Sequence, residues 1–240
     1  KVYEELTKAD KNVKRTLKDA YARLLLTMQL ISSLTAVSEK KGVPYLIFVL
    51  KDSFNHKFEK FSNALILIFP DQKEKITSLQ RNIGTCFKDT KLFHELLQQL
   101  SVGKYQQKLE YLFDIHKSLH VHKESEITFN LAKQLTYNED ETIAAVLFYM
   151  YSNNLQHTIN YKSYLHYRNP FISEIAKAID TQSAAMTKIE FVSYLHTVDL
   201  LRTFGVEELH QLASVTEQVT FSDGEYLAVA DKEEEALYII

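Results

Sequence analysis

Three histidines, His116, His120 and His122, fall within seven residues of one another. His116 and His120 are four apart, so a helix would place them on one face. Three imidazoles suit zinc if a turn brings His122 round to the other two. The competing reading is a helix end where imidazoles cap the last carbonyls. No cysteine or second carboxylate motif stands in register with the three, which favours the cap, and no metal is expected. The single cysteine, Cys86, lies between Thr85 and Phe87. A catalytic thiol needs a histidine or a helix N-terminus beside it, and without either Cys86 reads as a small buried hydrophobe. Two acidic runs, Glu139-Asp140-Glu141 and Glu233-Glu234-Glu235, could pair carboxylates for acid–base work, but only in a cleft that shifts their pKa. At a helix start such a run reads as a solvated cap. No phosphate-binding glycine loop, GxSxG or HExxH occurs in the chain, so no enzyme is expected and no catalytic residue is assigned.

The elements that must carry these residues are helical. The chain has 240 residues, 45% of them hydrophobic and 25% charged, enough to bury a core. Only five glycines and three prolines punctuate it, which disfavours a turn-rich sheet protein. Fourteen Tyr and fourteen Phe with no Trp suggest an aromatic-padded helical core. The longest apolar runs, IAAVLFYMY from Ile143 and ALILIF from Ala64, are far short of the ~20 residues that a membrane span needs. The start at Lys1 reads as that of a fragment or processed product, with no signal-peptide pattern. One cysteine fits a reducing, cytoplasmic compartment. Charge is uneven. Residues 206–240 hold nine acids and one base, Lys232, while the rest carries 27 bases and 22 acids. An acidic end on a mildly basic body argues against nucleic acid as a partner.

Apolar residues at three- and four-residue steps mark a long helix over Asn12–Lys40, closed by Gly42, and a second from Pro44 to about Phe69. Pro70 ends that helix, Asp71 caps the next, and Gly84 breaks it. Asp89 caps a fourth helix, and Gly103 closes it before a fifth, YQQKLEYLFDIHKSL. After the polar joint HVHKES, two stretches superpose at an offset of 29 residues: LTYNEDETIAAVLFYM and LHYRNPFISEIAKAI. Asp140 then matches Asn169, Ile143 Ile172, Val146 Ile175, Leu147 Ala176 and Met150 Ile179. Each copy is a polar turn that caps a helix with a narrow apolar stripe, the pattern of stacked helical repeats. Near the end the period changes to two, over Val219, Phe221, then Tyr226 or Leu227, and then Leu237 and Ile239, around a hairpin-type signal at Asp223-Gly224.

Residues 198–240, VDLLRTFGVEELHQLASVTEQVTFSDGEYLAVADKEEEALYII, resemble the beginning of a cyclic-nucleotide-binding domain. The resemblance rests on Leu200, Leu201, Glu207, Glu208, Leu209, Leu212 and Ala213. It continues through Val219, Phe221, Gly224, Glu225 and Leu227 to the closing Leu237–Ile240. The family places Gly-Asp in the turn after its second strand, where this chain has Asp231-Lys232. Its phosphate-binding segment, backbone amides and an arginine, lies further downstream. The resemblance therefore implies no cofactor on this chain, and a cyclic nucleotide only if the domain continues beyond Ile240. Upstream, VLKDSFNHKFEKFSNALILIFPDQKEKITSLQRNI and KYQQKLEYLFDIHKSL resemble the helical region that follows the membrane part of ATP/ADP-translocase-like carriers. HEAT-type helices and a cyclic-nucleotide-binding-like domain follow in that order in some of them.

The expected fold is mainly α: an α-solenoid of HEAT- or armadillo-like helical pairs with a short partial β-roll at the C-terminus. Residues 1–122 form a helical bundle or repeat region, 123–197 HEAT-like repeats, and 198–240 the start of the β-roll domain. The resemblance implies a non-enzymatic regulatory module that couples a cyclic-nucleotide-sensor-like β-roll to a larger protein, tethered to a membrane carrier at its cytosolic face. Leu200, Leu201, Phe204 and Leu209 would meet the β-roll, and Gly224 with Glu225 would form its first turn. The expected partners are another protein or the rest of the parent chain. The alternative is a helical-repeat scaffold without a ligand.

Overall fold

A computed structural model describes residues 2–117, 124–137, 139–183, 186–217 and 219–226. Among them are ten α-helices and no strand. Helix α1 (Val2–Thr35) and α2 (Val43–Ile68) form a long antiparallel hairpin. Leu17, Leu24, Met28, Ile31 and Leu34 on α1 are fully buried, as are Leu46, Leu50, Phe54 and Phe61 on α2. Both sets recur at helical steps, so each helix offers one apolar stripe that the other covers. The corner between them is set by Gly42, whose φ of 79° only glycine adopts freely. Pro44 sits in the first turn of α2, where its missing N–H leaves no bond unmade.

Helix α3 (Lys73–Cys86) packs on α2, α4 (Thr90–Gln98) packs on α3, and α5 (Lys104–Lys117) packs on α4 and returns along α1. Tyr21 Oη donates to the Lys108 carbonyl at 3.2 Å and Ser32 Oγ to the Ile115 carbonyl at 3.2 Å. Phe54, Phe87, Phe93 and Phe113 close this end, with the Phe93 and Phe113 rings stacked 3.7 Å apart. Asp89 caps α4, accepting from the Lys91 and Leu92 amides. Two other expected punctuation marks differ. Asp71 lies in a 3₁₀ turn over Pro70–Gln72 and gives α3 no side-chain cap. Gly84 does not break α3, because a single glycine costs a helix only ~1 kcal/mol, and the turn of α3 around it packs beside Asn55 of α2.

Helix α6 (Glu124–Tyr137) packs on α1 and on α7 (Asp140–Ser152). Every residue of α7 from Thr142 to Met150 is buried, since α2, α6, α8 (Pro170–Thr181) and α9 (Lys188–Leu195) surround it. Ala144 and Ala145 let those neighbours approach. The two sequence copies prove to be α7 and α8. Their ends meet like with like: Asn169 Nδ2 and Tyr167 Oη donate to Asp140 at the N-terminal ends, and Tyr151 Oη donates to the Ser183 carbonyl at the C-terminal ends. The helices therefore run parallel, and all four matched apolar pairs are buried. The return between them is not a helix, however. It is an irregular segment with 3₁₀ turns at Gln156–Thr158 and Tyr161–Tyr164. Residues 153–169 have no helical apolar stripe, and Asn154 at φ 57° stops α7.

Helix α10 (Val206–Val215) packs on α9 and α2. Among the described residues no β-roll is seen: residues 219–226 form no ladder. The turn within that stretch is present: the Glu225 amide donates to the Ser222 carbonyl at 3.0 Å across Asp223 and Gly224, with Gly224 at φ 84°. With one positive φ at its third position this is a type II turn, not the hairpin-type turn expected. Leu237–Ile240 and the Glu233–Glu235 run lie outside the described residues. One apolar core runs from Leu17 to Ala213, across residues 122 and 197 alike.

Candidate functional site

The apolar stripe of α2 contains one charged residue. Lys57 stands three positions after Phe54 and four before Phe61, on the buried arc of the helix, and only 9% of it is exposed. Its Nζ donates to Thr27 Oγ1 of α1 at 3.1 Å, and the Thr27 hydroxyl in turn donates to the Arg23 carbonyl at 2.9 Å. An ammonium has three N–H donors, and Thr27 is its one hydrogen-bond partner among the described residues. Burial pulls the Lys57 amine down to about 8, against the Glu139 carboxylate, which raises it, and with Arg23 and Lys60 lowering it further.

Lys57 lines a cleft of 440 Å³ between α1 and α2. Thr16, Asp19, Ala20 and Arg23 of α1 form one wall and Lys60 of α2 part of the other. Glu139, which precedes the first turn of α7, closes the end. The volume falls within the range of small-molecule sites.

Glu139 also belongs to a second pocket, of 260 Å³, where α2, α7 and α10 meet. Asp52, His56, Glu141 and Glu207 line it, so this chamber is acidic where the first is mainly basic. His56 Nδ1 lies 3.6 Å from Glu139 Oε2, a partly exposed pair of little energetic weight. Burial raises the Asp52 carboxyl, opposed by His56 and reinforced by Glu139. Ser53 and Thr142 line the same pocket, and their buried hydroxyls have no hydrogen-bond partner among the described residues. The arrangement is suited to holding charged groups.

A third polar cluster lies deeper. Tyr45 Oη and His210 Nε2 are 2.8 Å apart, joining α2 to α10, and the Phe171 ring of α8 lies 4.5 Å from the imidazole. Burial pulls His210 down to about 4 and raises the Tyr45 phenol, helped by Glu141. The imidazole is therefore neutral and the phenol protonated, and the two share one hydrogen bond whose direction follows the imidazole tautomer. This pair is a structural tie between helices.

The residues singled out from sequence fall in several places. His116 is in α5, but its side chain, and all of His120 and His122, lie outside the described residues. Among the described residues no group of His, Cys, Asp or Glu could hold a metal ion. Cys86 is buried, and burial, with Asp89 adding to it, pushes its thiol up to about 11. The run at residues 139–141 is not simply solvated: all three side chains are half-buried, two of them in the acidic pocket and Asp140 bonded to α8. Leu201 and Leu209 are buried in the body, whereas Leu200 is 72% exposed and Phe204 37%. Sequence reading passed over Lys57, although a lysine on the buried arc of an apolar stripe is itself the signal. No family model, no curated protein and no solved structure matches the chain.

Proposed function

We propose that the chain is a non-enzymatic regulatory and interaction module, whose helical body offers its C-terminal end to a docking β-roll of the cyclic-nucleotide-sensor type. The observation that carries this reading is where apolar surface stays open. Among the described residues, seven of the nine exposed large apolar side chains lie between residues 186 and 226: Met186, Tyr194, Leu200, Phe204, Val215, Val219 and Tyr226. Exposed apolar side chains gathered on one surface mark an interaction site, and these seven share one stretch of the chain. Leu200 and Phe204 stand at the margin of the body while Leu201 and Leu209 anchor the same segment within it. The parallel pair α7 and α8 supports a helical-repeat origin for the body, and the order of segments supports its tethering to a membrane carrier. No helix among the described residues is long and apolar enough to cross a membrane.

The test is calorimetric titration of cyclic AMP and cyclic GMP into the parent protein carrying any continuation past Ile240. Saturable heat, altered by the double substitution Leu200→Asp and Phe204→Asp, supports a docked sensor. No heat from a folded protein removes the sensor and leaves a helical scaffold, whose docking surface the same double substitution would disable.

A further inference from the structure

We propose that the cleft between α1 and α2 is a binding site for a small phosphate-bearing molecule, with the Lys57 ammonium at its floor and Lys60 and Arg23 at its rim. A buried lysine is rare unless an anion accompanies it. Lys57 is nine-tenths buried, and its one hydrogen-bond acceptor among the described residues is the neutral Thr27 hydroxyl. No carboxylate among the described residues lies within 4.0 Å of its Nζ. Two N–H groups of the ammonium are thus left to the cleft, whose 440 Å³ is the size of a metabolite site.

Two lysines and an arginine outnumber the two carboxylates of the same cleft, Asp19 and Glu139. Among the described residues that surplus is one positive charge, which suits a single small anionic group, and lysine ammoniums serve phosphate as point charges. The same two carboxylates, with the acidic pocket beyond Glu139, repel an extended polyanion. They favour a small ligand over nucleic acid. They also offer acceptors to any hydroxyl groups that the ligand carries. This site is separate from the C-terminal surface, and its failure would leave the docking reading untouched.

The experiment is isothermal titration of the full chain in phosphate-free buffer at neutral pH, with inorganic phosphate, ribose 5-phosphate and ribose as probes. Saturable binding of the two phosphates and none of ribose is expected. Lys57→Met should weaken binding by about tenfold or more, the usual worth of a hydrogen bond to a charged group. Lys60→Ala, at an exposed position that leaves the fold intact, should weaken it severalfold. Equal affinity for the two phosphates identifies free phosphate as the ligand, and tighter binding of the sugar phosphate identifies an ester. Failure of both phosphates to bind would overturn the proposal. So would ribose binding as well as its phosphate, or an affinity unchanged in Lys60→Ala or in folded Lys57→Met.

Discussion

At the scale of single residues, two buried bases make opposite ends of the pH range informative. His210 has a folded pKa of about 4, below its unfolded value near 6.5, because burial disfavours the imidazolium. Above pH 6.5 both states are neutral and nothing is lost. As pH falls from 6.5 to 4 the unfolded chain takes up a proton that the folded one refuses, so stability drops, by ~3 kcal/mol for this group. His196, lowered by burial as well, acts in the same direction. Asp52, raised by burial, acts against them. Urea unfolding at a series of pH values should show this decline, and His210→Gln, which keeps a neutral partner for Tyr45, should flatten it. An unchanged slope in that variant would mean that His210 is not the sensitive group. Lys57 is the mirror case at alkaline pH. Its folded pKa of about 8 lies below the unfolded value near 10.5, so at pH 7 the fold carries the full cost of a desolvated ammonium, ~3 kcal/mol at most. That cost disappears between pH 8 and 10.5. In phosphate-free buffer at pH 7, Lys57→Met should therefore stabilise the protein by ~1–3 kcal/mol, as replacing buried charge with a well-packed apolar chain often does. The gain should vanish by pH 10.5. Thermal melts at both pH values check it.

At the scale of elements, the caps and corners that hold α7 in place are the sensitive points. Asn169 caps α8 by accepting from the Phe171 amide at 3.0 Å and also donates to Asp140 of α7. Asn169→Ala loses the cap and the link together and should cost ~1–2 kcal/mol in urea unfolding. Gly42 turns the α1–α2 corner onto α7. A Cβ there would meet the Phe148 ring at 3.2 Å while the backbone stays at positive φ, so Gly42→Ala should cost ~1–2 kcal/mol from the backbone alone. The helices themselves were legible because apolar period is a strong local signal: α2 begins and ends within about a residue of where Pro44 and Phe69 place it, and α8 begins directly after Asn169. Gly84 misled because a helix tolerates one glycine when its surroundings hold it. The strand reading of residues 219–226 misled because alternation shows which face could be buried, not whether a neighbouring strand exists. The charged cleft was illegible for a different reason. Arg23, Lys57 and Glu139 come from three distant segments, and only the packing of α1, α2 and α7 brings them together.

At the scale of the whole molecule, the question is where the helical body ends. Sequence resemblance places a boundary at residue 198, with everything after it assigned to a separate β-roll. Residues just after 198 also pack on the helical body. Leu201, Val206, Leu209 and Ala213 are all at most 5% exposed and belong to the same core as α2, α7 and α9. Tyr45 and His210 add a buried hydrogen bond between α2 and α10. Burying each large apolar side chain is worth ~1.5–3 kcal/mol, so removing Leu201, Val206 and Leu209 forfeits ~5 kcal/mol or more. That is comparable to the ~5–15 kcal/mol that holds an ordinary domain folded. A chain ending after residue 197 should therefore lose its cooperative thermal transition or melt roughly 10–20 °C lower. One ending after residue 217 should melt close to the parent. Calorimetry of the two truncations decides between the boundaries. Equal melting of both would return α10 to the C-terminal domain, and Leu201 and Leu209 with it to the docking surface. Loss in the shorter chain alone would leave Leu200 and Phe204, the exposed pair of that segment, as the contacts available to whatever docks there.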